Sequence, residues 1–310
     1  MKVYRSFNEF ERLEKAIVTQ GTFDGVHLGH QKILHQLKGI AKREGGETVL
    51  LTFFPHPRMV LQPDDNSLRL LETIEEKIEH LANEGLDHLL IIPFTKEFSR
   101  QNAEDFVRDV LIGKLGMHTM VIGYDHRFGK NREGSFEHLK ELAPVYDFTV
   151  EEITAEDIDA VTISSTKIRK ALQEGDLLTA NTFLGYAYRA SGVVVSGHKK
   201  GKEIGFPTAN IEVPEYFKLV PGDGVYAVNA FWKGQVIGGM ANIGKQPTFN
   251  NRQHAFEVHL FDFNEDLYGE ALQVEFVARL RDEMRFNGIA ELKEQLEKDK
   301  FAALKILNRS

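Results

Sequence analysis

The 310-residue chain has no cysteine, a single tryptophan and only 9 prolines. Without cysteine there is no disulfide framework, no thiolate nucleophile and no sulfur-rich zinc site. Long apolar runs are missing too. No stretch approaches the roughly 18 residues of a membrane-spanning helix, and charges are scattered where a leader would need an apolar segment. No membrane partner is expected, and the cytoplasm is the expected compartment. An excess of basic residues is also absent: 38 Lys and Arg against 46 Asp and Glu give a formal net charge of −8. That balance argues against broad contact with nucleic acid or anionic lipid, which select basic faces. A local cluster of N–H groups and lysines can still oppose the global sign and hold a small anion. There is no internal repeat or low-complexity segment, and nothing here reports the oligomeric state.

What is present is ordinary globular composition, 42% hydrophobic and 27% charged, at a length sufficient for two domains. The segment Gly21-Thr22-Phe23-Asp24-Gly25-Val26-His27-Leu28-Gly29-His30 follows an apolar strand, Lys15 to Gln20. It leads into a helix from Gln31 to Arg43, whose Ile33, Leu34, Leu37 and Ile40 recur at helical spacing. A helix N-terminus offers unpaired N–H groups and partial positive charge, and glycine permits close approach of the backbone to phosphate. His27 and His30, three apart, share one face of the first turn. A structural metal or a simple helix cap would use such histidines as well, although no further ligand stands at a persuasive spacing.

From residue 16 to about 153, short apolar runs alternate with amphipathic segments. Strands are predicted at Glu47–Phe54, His88–Phe94, Thr119–Tyr124 and Asp147–Thr154, with helices near Thr73–Asn83 and Ala103–Leu115. This alternation predicts a parallel sheet covered on both faces, binding ligand at the carboxyl ends of its strands. The histidine segment, Phe54-Pro55-His56-Pro57 and Gly123 to Gly129 all fall at such ends. Ser164, Ser165 and Thr166 open another helix; they read as N-caps or, with Arg169 one turn on, as a phosphate clamp.

Near Leu184 the pattern changes to strands separated by glycine-bearing turns, at Tyr186–Val195, Thr208–Val213, Gly224–Trp232, Gln235–Ala241, His254–Phe261 and Leu272–Leu280. An antiparallel barrel or sandwich is predicted, closed by a helix from Ala290 to Leu307. Domains of 1–184 and 185–310 are therefore expected. Gly197 to Gly205, with His198, Lys199, Lys200 and Lys202, reads as a phosphate-wrapping loop or as a solvated hairpin. Thr208 and Asn210 share a strand face and offer oxygen ligands to a hard cation, or form a polar surface pair. Glu257 lies in a strand and is placed either in solvent or as a general base, with His259 as its surface neighbour.

Taken together, these segments resemble the bacterial bifunctional riboflavin kinase/FAD synthetase family along essentially the whole chain. The motifs that carry the likeness are Gly21 to His30, Thr52 to Pro57, Gly123 to Gly129, Ile163 to Arg169, Gly205 to Asn210, Gly224 to Tyr226, Asn242 to Gly244, and Glu257 upstream of Asp266 to Gly269. The resemblance implies a Rossmann-like nucleotidyltransferase domain followed by a riboflavin-kinase barrel. It implies that ATP and Mg2+ serve the phosphorylation of riboflavin to FMN, and that a second ATP adenylylates FMN to FAD.

By the same resemblance, His27, His30 and Glu257 are catalytic. Gly21, Phe23, Asp24, Gly29, Ser164, Ser165, Thr166 and Arg169 would bind ATP in the first domain, and Gly197, His198, Lys202 and Gly205 in the second. Thr208 and Asn210 would hold the metal. Pro55, Pro57, Asp125 and Phe128 would border one flavin, and Asn242, Ile243, Gly244 and Arg285 the other. Two rival readings keep less of this: an adenylyltransferase with a non-catalytic flavin-binding barrel, and a nucleotide-binding interaction protein without turnover.

Overall fold

The computed structural model describes residues 1–123, 127–154, 163–197, 200–244 and 255–308, without the side chains of Arg132, Lys200 and Lys202. By packing the chain divides into two units, residues 1–68 with 73–164 and residues 69–72 with 165–310.

In the first unit the apolar runs become strands β1 (Lys2–Tyr4), β2 (Ala16–Gln20), β3 (Glu47–Phe53), β4 (His88–Ile92), β5 (Met117–Gly123) and β6 (Thr149–Ile153). Among the described residues they pair in the order β1-β4-β3-β2-β5-β6, every pair parallel. The central strands are apolar on both faces because helices cover both. Ile17, Leu50 and Leu89 pack under α1 (Leu28–Glu44), and under α3 (Ile74–Asn83), which follows the short α2 (Pro57–Leu61). On the opposite face Val18, Val49 and Leu51 meet Phe106, Val107 and Val110, together with Leu139 and Leu142 of α4 (Phe136–Tyr146). Strand order runs one way from β2 through β3 to β4 and the other way through β5, so the topological switch point lies between β2 and β5. Open parallel sheets receive ligands at that point, at the carboxyl ends.

The second unit opens with α5 (Ser165–Gln173) and α6 (Leu177–Leu184). It continues as a closed antiparallel barrel of β7 (Tyr188–Val195), β8 (Ala209–Glu212), β9 (Gly224–Trp232), β10 (Gln235–Gly244), β11 (Ala255–Leu260) and β12 (Ala271–Arg281). The barrel order is β10-β11-β8-β7-β12-β9. Aromatic rings fill its interior, with Tyr226 at 5.5 Å and Phe256 at 5.6 Å from Phe276. Helix α7 (Ile289–Leu307) lays Leu296, Ala303, Leu304 and Leu307 against Ala227, Met240 and Phe261 on the outside. Asp299 fixes it there by accepting from Arg281 at 3.0 and 2.7 Å.

The expected fold, α/β followed by a β-barrel with a terminal helix, is the one observed. Helices α2 and α4 lie where no helix was expected, and three further local features differ. Ala103–Leu115, expected as one regular helix, is a short turn at Ala103–Asp105 continued by a π-helix over Phe106–Ile112. There the Gly113 N–H reaches back five residues to the Arg108 carbonyl at 3.0 Å. Strand β1 is too short to show a hydrophobic period. Helix α6 lies where only a boundary was expected, although Asp176 caps it, accepting from the Thr179 N–H at 3.1 Å, and Gly185 ends it at φ 81°. Both α5 and α6 group with the barrel unit.

Candidate active sites

At the switch point the chain leaves β2 through residues 21–27 before α1 begins. Gly25 turns left-handed at φ 81°, and so do Phe23 at 44° and Val26 at 28°. For a bulky and a β-branched residue this backbone costs on the order of 1–3 kcal/mol each, so surrounding contacts must impose it. They are present. The Phe23 ring stacks on His30 at 4.6 Å, and the Gln31 amide donates to the Val26 carbonyl at 2.9 Å. The Thr22 carbonyl accepts from the Lys77 ammonium at 2.7 Å and from the Thr52 hydroxyl at 3.4 Å. Gly21 faces the Phe23 ring so closely that a Cβ would stand 3.0 Å from it. Asp24 is buried in the loop and Gly29 in the first turn of α1.

His27 caps α1, its Nδ1 accepting from the His30 backbone N–H at 3.4 Å. A neutral His27 ring therefore carries its proton on Nε2. The two imidazoles stack with centroids 3.7 Å apart and planes at 15°. His30 Nδ1 is buried with no hydrogen-bond partner. Burial first, and then the neighbouring His27, Lys77 and His80, hold the His30 pKa well below the usual imidazole value. The ring is neutral at physiological pH, with the Lys77 ammonium among the groups acting on it. A helix N-terminus with exposed N–H donors and a partial positive charge is the kind of place that attracts an anion such as phosphate.

Lys77 was not singled out from the sequence. It is 6% exposed and sits with Ile74, Ile78 and Leu81 on the buried face of α3. A lysine at i+3 of an apolar i, i+3, i+4, i+7 stripe was the available signal. On the opposite face of the sheet, Phe53, Phe94 and Phe98 form an aromatic cluster, with Phe53 5.5 Å from Phe94 and 5.4 Å from Phe98. Phe128 is buried, with its ring 5.9 Å from Phe106. Pro55 and Pro57 follow β3, and Pro57 opens α2 behind the His56 cap. Asp125 and His126 lie outside the described residues. Ser164 ends the first unit; Ser165, Thr166 and Arg169 ride on α5, with Thr166 exposed and the other two half-buried.

In the barrel the expected residues meet through strand register. Asn210 of β8 stands opposite Glu257 of β11, and Glu257 stands opposite Asn242 of β10. Directly opposed residues share one face with Cβ atoms about 5 Å apart, so the three side chains form a row. Their strand neighbours Val258 and Ala241 are buried with Tyr226 in the interior, which puts the row on the outer face. Asn210 packs on Gly197, where a Cβ would come within 2.0 Å of its Nδ2. Thr208 is exposed and directly precedes β8. Gly205 is left-handed at φ 89°.

His259, expected as a surface neighbour of Glu257, is instead buried and bonded, its Nδ1 donating to the Pro207 carbonyl at 2.7 Å. Burial lowers its pKa against the opposing pull of that bond. Asn242, Ile243 and Gly244 end β10 beside the 282–286 segment, for Glu283 lies where a Gly244 Cβ would be, 1.7 Å from its Oε1. Arg285, in the same segment, is exposed. His198 and the side chains of Lys200 and Lys202 lie outside the described residues.

A glycine-bearing loop running into a helix N-terminus at the head of a parallel sheet, and an amide-carboxylate row on a closed barrel, are arrangements of the kind that nucleotide-dependent transferases use. Comparison with known proteins narrows that class. Residues 9–167 match the FAD synthetase family and residues 184–307 the riboflavin kinase family. The bifunctional riboflavin kinase/FMN adenylyltransferase of Bacillus subtilis is 40% identical over 95% of this chain and 93% of its own. The protein of that name from Haemophilus influenzae is 38% identical over 96% of this chain and 97% of its own. A Streptococcus pneumoniae crystal structure described as a macrolide-efflux protein superposes with a TM-score of 0.88 at 30% identity, covering 97% of this chain and 98% of that one. No described helix here is long and apolar enough to cross a membrane. The chain belongs to the bifunctional riboflavin kinase/FMN adenylyltransferase family.

Proposed function

We propose that the chain makes FAD from riboflavin in two ATP-dependent steps, phosphorylation in the barrel and adenylylation in the sheet unit. The observation that carries this reading is that each half of one continuous chain matches the family of one of the two activities.

For phosphorylation, the riboflavin 5′-oxygen attacks the γ-phosphorus, the bond to the β,γ-bridging oxygen breaks, and ADP leaves. Glu257 takes the hydroxyl proton, and the Gly197–Gly205 loop covers the phosphates. Asn242, Ile243, Gly244 and Arg285 border the flavin. The oxygen-bearing Thr208 and Asn210 suit a hard cation, and Asn210 is held in place by its packing on Gly197. Bound there, Mg2+ would neutralise charge on the transferring phosphoryl group.

For adenylylation, an oxygen of the FMN phosphate attacks the α-phosphorus of ATP and pyrophosphate departs. The attacking oxygen is already ionised, so no base is needed. His27 donates from Nε2, and the neutral His30 ring gains a partner for its buried nitrogen. These donors act where charge builds in the transition state. The phosphate-holding role of Ser164, Ser165, Thr166 and Arg169 and the flavin-bordering role of Pro55, Pro57, Asp125 and Phe128 rest on their motifs. The domain limits 1–184 and 185–310 belong to the same proposal, and dependence on ATP supports a cytoplasmic location.

Purified protein given riboflavin, ATP and Mg2+ is expected to form FMN and then FAD. FAD from supplied FMN without FMN from riboflavin would leave the barrel a flavin-binding module, and ligand binding without any product would leave an interaction protein.

A further inference from the structure

We propose that Lys77 is a positioning residue for adenylyl transfer, holding the strained 21–27 loop by its backbone and placing a fixed positive charge behind the histidine pair. The inference rests on the assignment of that loop to the adenylyl-transfer centre.

Two non-glycine residues of the loop are left-handed, Phe23 and Val26, and the carbonyl just before Phe23 is the one the Lys77 ammonium grips at 2.7 Å. An ammonium is costly to bury unless its charge is used. Lys77 is nevertheless 6% exposed. Its helix is fixed at the start by a reciprocal cap, in which the Thr73 hydroxyl accepts from the Glu76 N–H at 3.2 Å and Glu76 accepts from the Thr73 N–H at 3.0 Å. A rigid α3 thus carries the charge to the loop. Losing it would leave the Thr22 carbonyl with the longer contact to Thr52 and free Phe23 to relax, which moves the ring that stacks on His30. The effect is indirect, through His30 and the loop amides, and belongs to positioning.

A second consequence separates this role from simple structural support. The charged and titratable groups acting on His30 are His27 on its own helix and Lys77 and His80 on α3. Removing the Lys77 charge lets His30 take a proton more readily, so the acid limb of the adenylylation pH profile moves to higher pH. Replacement by arginine keeps the charge and leaves the limb in place.

The test uses the full chain as wild type, Lys77→Met, Lys77→Arg and His30→Ala. Initial rates of FMN adenylylation and of riboflavin phosphorylation are measured across ATP concentration and pH. For Lys77→Met, kcat/KM for ATP in adenylylation is expected to fall about 10- to 100-fold, the scale of one charge-assisted hydrogen bond. Riboflavin phosphorylation, made by the other unit, is expected to stay within about twofold. Lys77→Arg should recover most of the lost rate. Wild-type adenylylation with an unshifted acid limb in Lys77→Met overturns the proposal, as does equal loss of both activities. If His30→Ala adenylylates normally, the site assignment fails. If His30→Ala is inactive while Lys77→Met is normal, only the role of Lys77 fails.

Discussion

In the sheet unit Gly21, Phe23, His27 and His30 are consecutive along one loop and one helical turn, whereas in the barrel Asn210, Asn242 and Glu257 come from three strands and meet only through register. The loop centre stores its geometry in unfavourable backbone angles, and contacts from α1, α3 and β3 keep it there. The barrel centre needs no such strain, because closure of the sheet already fixes the spacing of opposed residues. On the proposed assignment, two ways of placing phosphate chemistry sit on one chain, one sensitive to its clamps and the other to its register. They should respond differently to substitution.

The largest separation is expected from Glu257→Gln, which removes the proton acceptor and should lower riboflavin phosphorylation by about 10²- to 10⁴-fold while FMN adenylylation persists. Comparable loss of both activities would show that the centres are not separate. His27→Ala is the mirror experiment: FMN adenylylation should drop on the order of 10²- to 10³-fold, with riboflavin phosphorylation intact. A normal adenylylation rate would remove His27 from the chemistry.

A smaller effect tests the barrel's packing. Gly197→Ala drives a methyl into Asn210, and the Mg2+ concentration for half-maximal phosphorylation should rise roughly tenfold, as when a group supporting a metal ligand is disturbed. An unchanged Mg2+ dependence would take Asn210 out of the metal site.

The smallest effect concerns stability and applies to both units, since each buries a histidine, His30 or His259, whose pKa is lowered by burial. Below the ordinary imidazole pKa the unfolded chain binds protons that these folded rings refuse. Stability is therefore complete above that pH and declines as the pH falls toward the lowered values, by about 1.4 kcal/mol per pH unit for each such ring. His30→Gln should flatten the decline in denaturant unfolding measured from pH 7 to 5; an unaltered slope would mean that His30 is not the group responsible.

The same contrast explains what could be read in advance. Alternating apolar runs revealed the sheet, and turn-separated strands the barrel, because both patterns follow from which faces are buried. Residues contiguous in the loop could be read as a candidate phosphate site from helix-terminus physics, with a helix cap or a structural metal as the alternatives. The barrel row could not, for nothing in the spacing of residues 210, 242 and 257 states that β8, β11 and β10 are neighbours. Lys77 looked like one more charge in the segment Glu75-Glu76-Lys77, and only its place in the apolar stripe marked it as buried. His259 was misjudged because strand alternation gives the face a residue shares but not what covers it. Here Phe206 and Pro207 cover it, with the Phe206 ring 5.2 Å away.

Independence of the two centres is tested most directly by mixing. Glu257→Gln and His27→Ala chains, each supplied alone with riboflavin, ATP and Mg2+, are expected to form FAD at least about 100-fold more slowly than wild type, the first holding back at riboflavin and the second at FMN. An equal mixture of the two is expected to yield FAD, as FMN released by the His27→Ala chain is adenylylated by the Glu257→Gln chain. A mixture that accumulates FMN or riboflavin and forms no FAD would contradict two separate, complete centres on this chain.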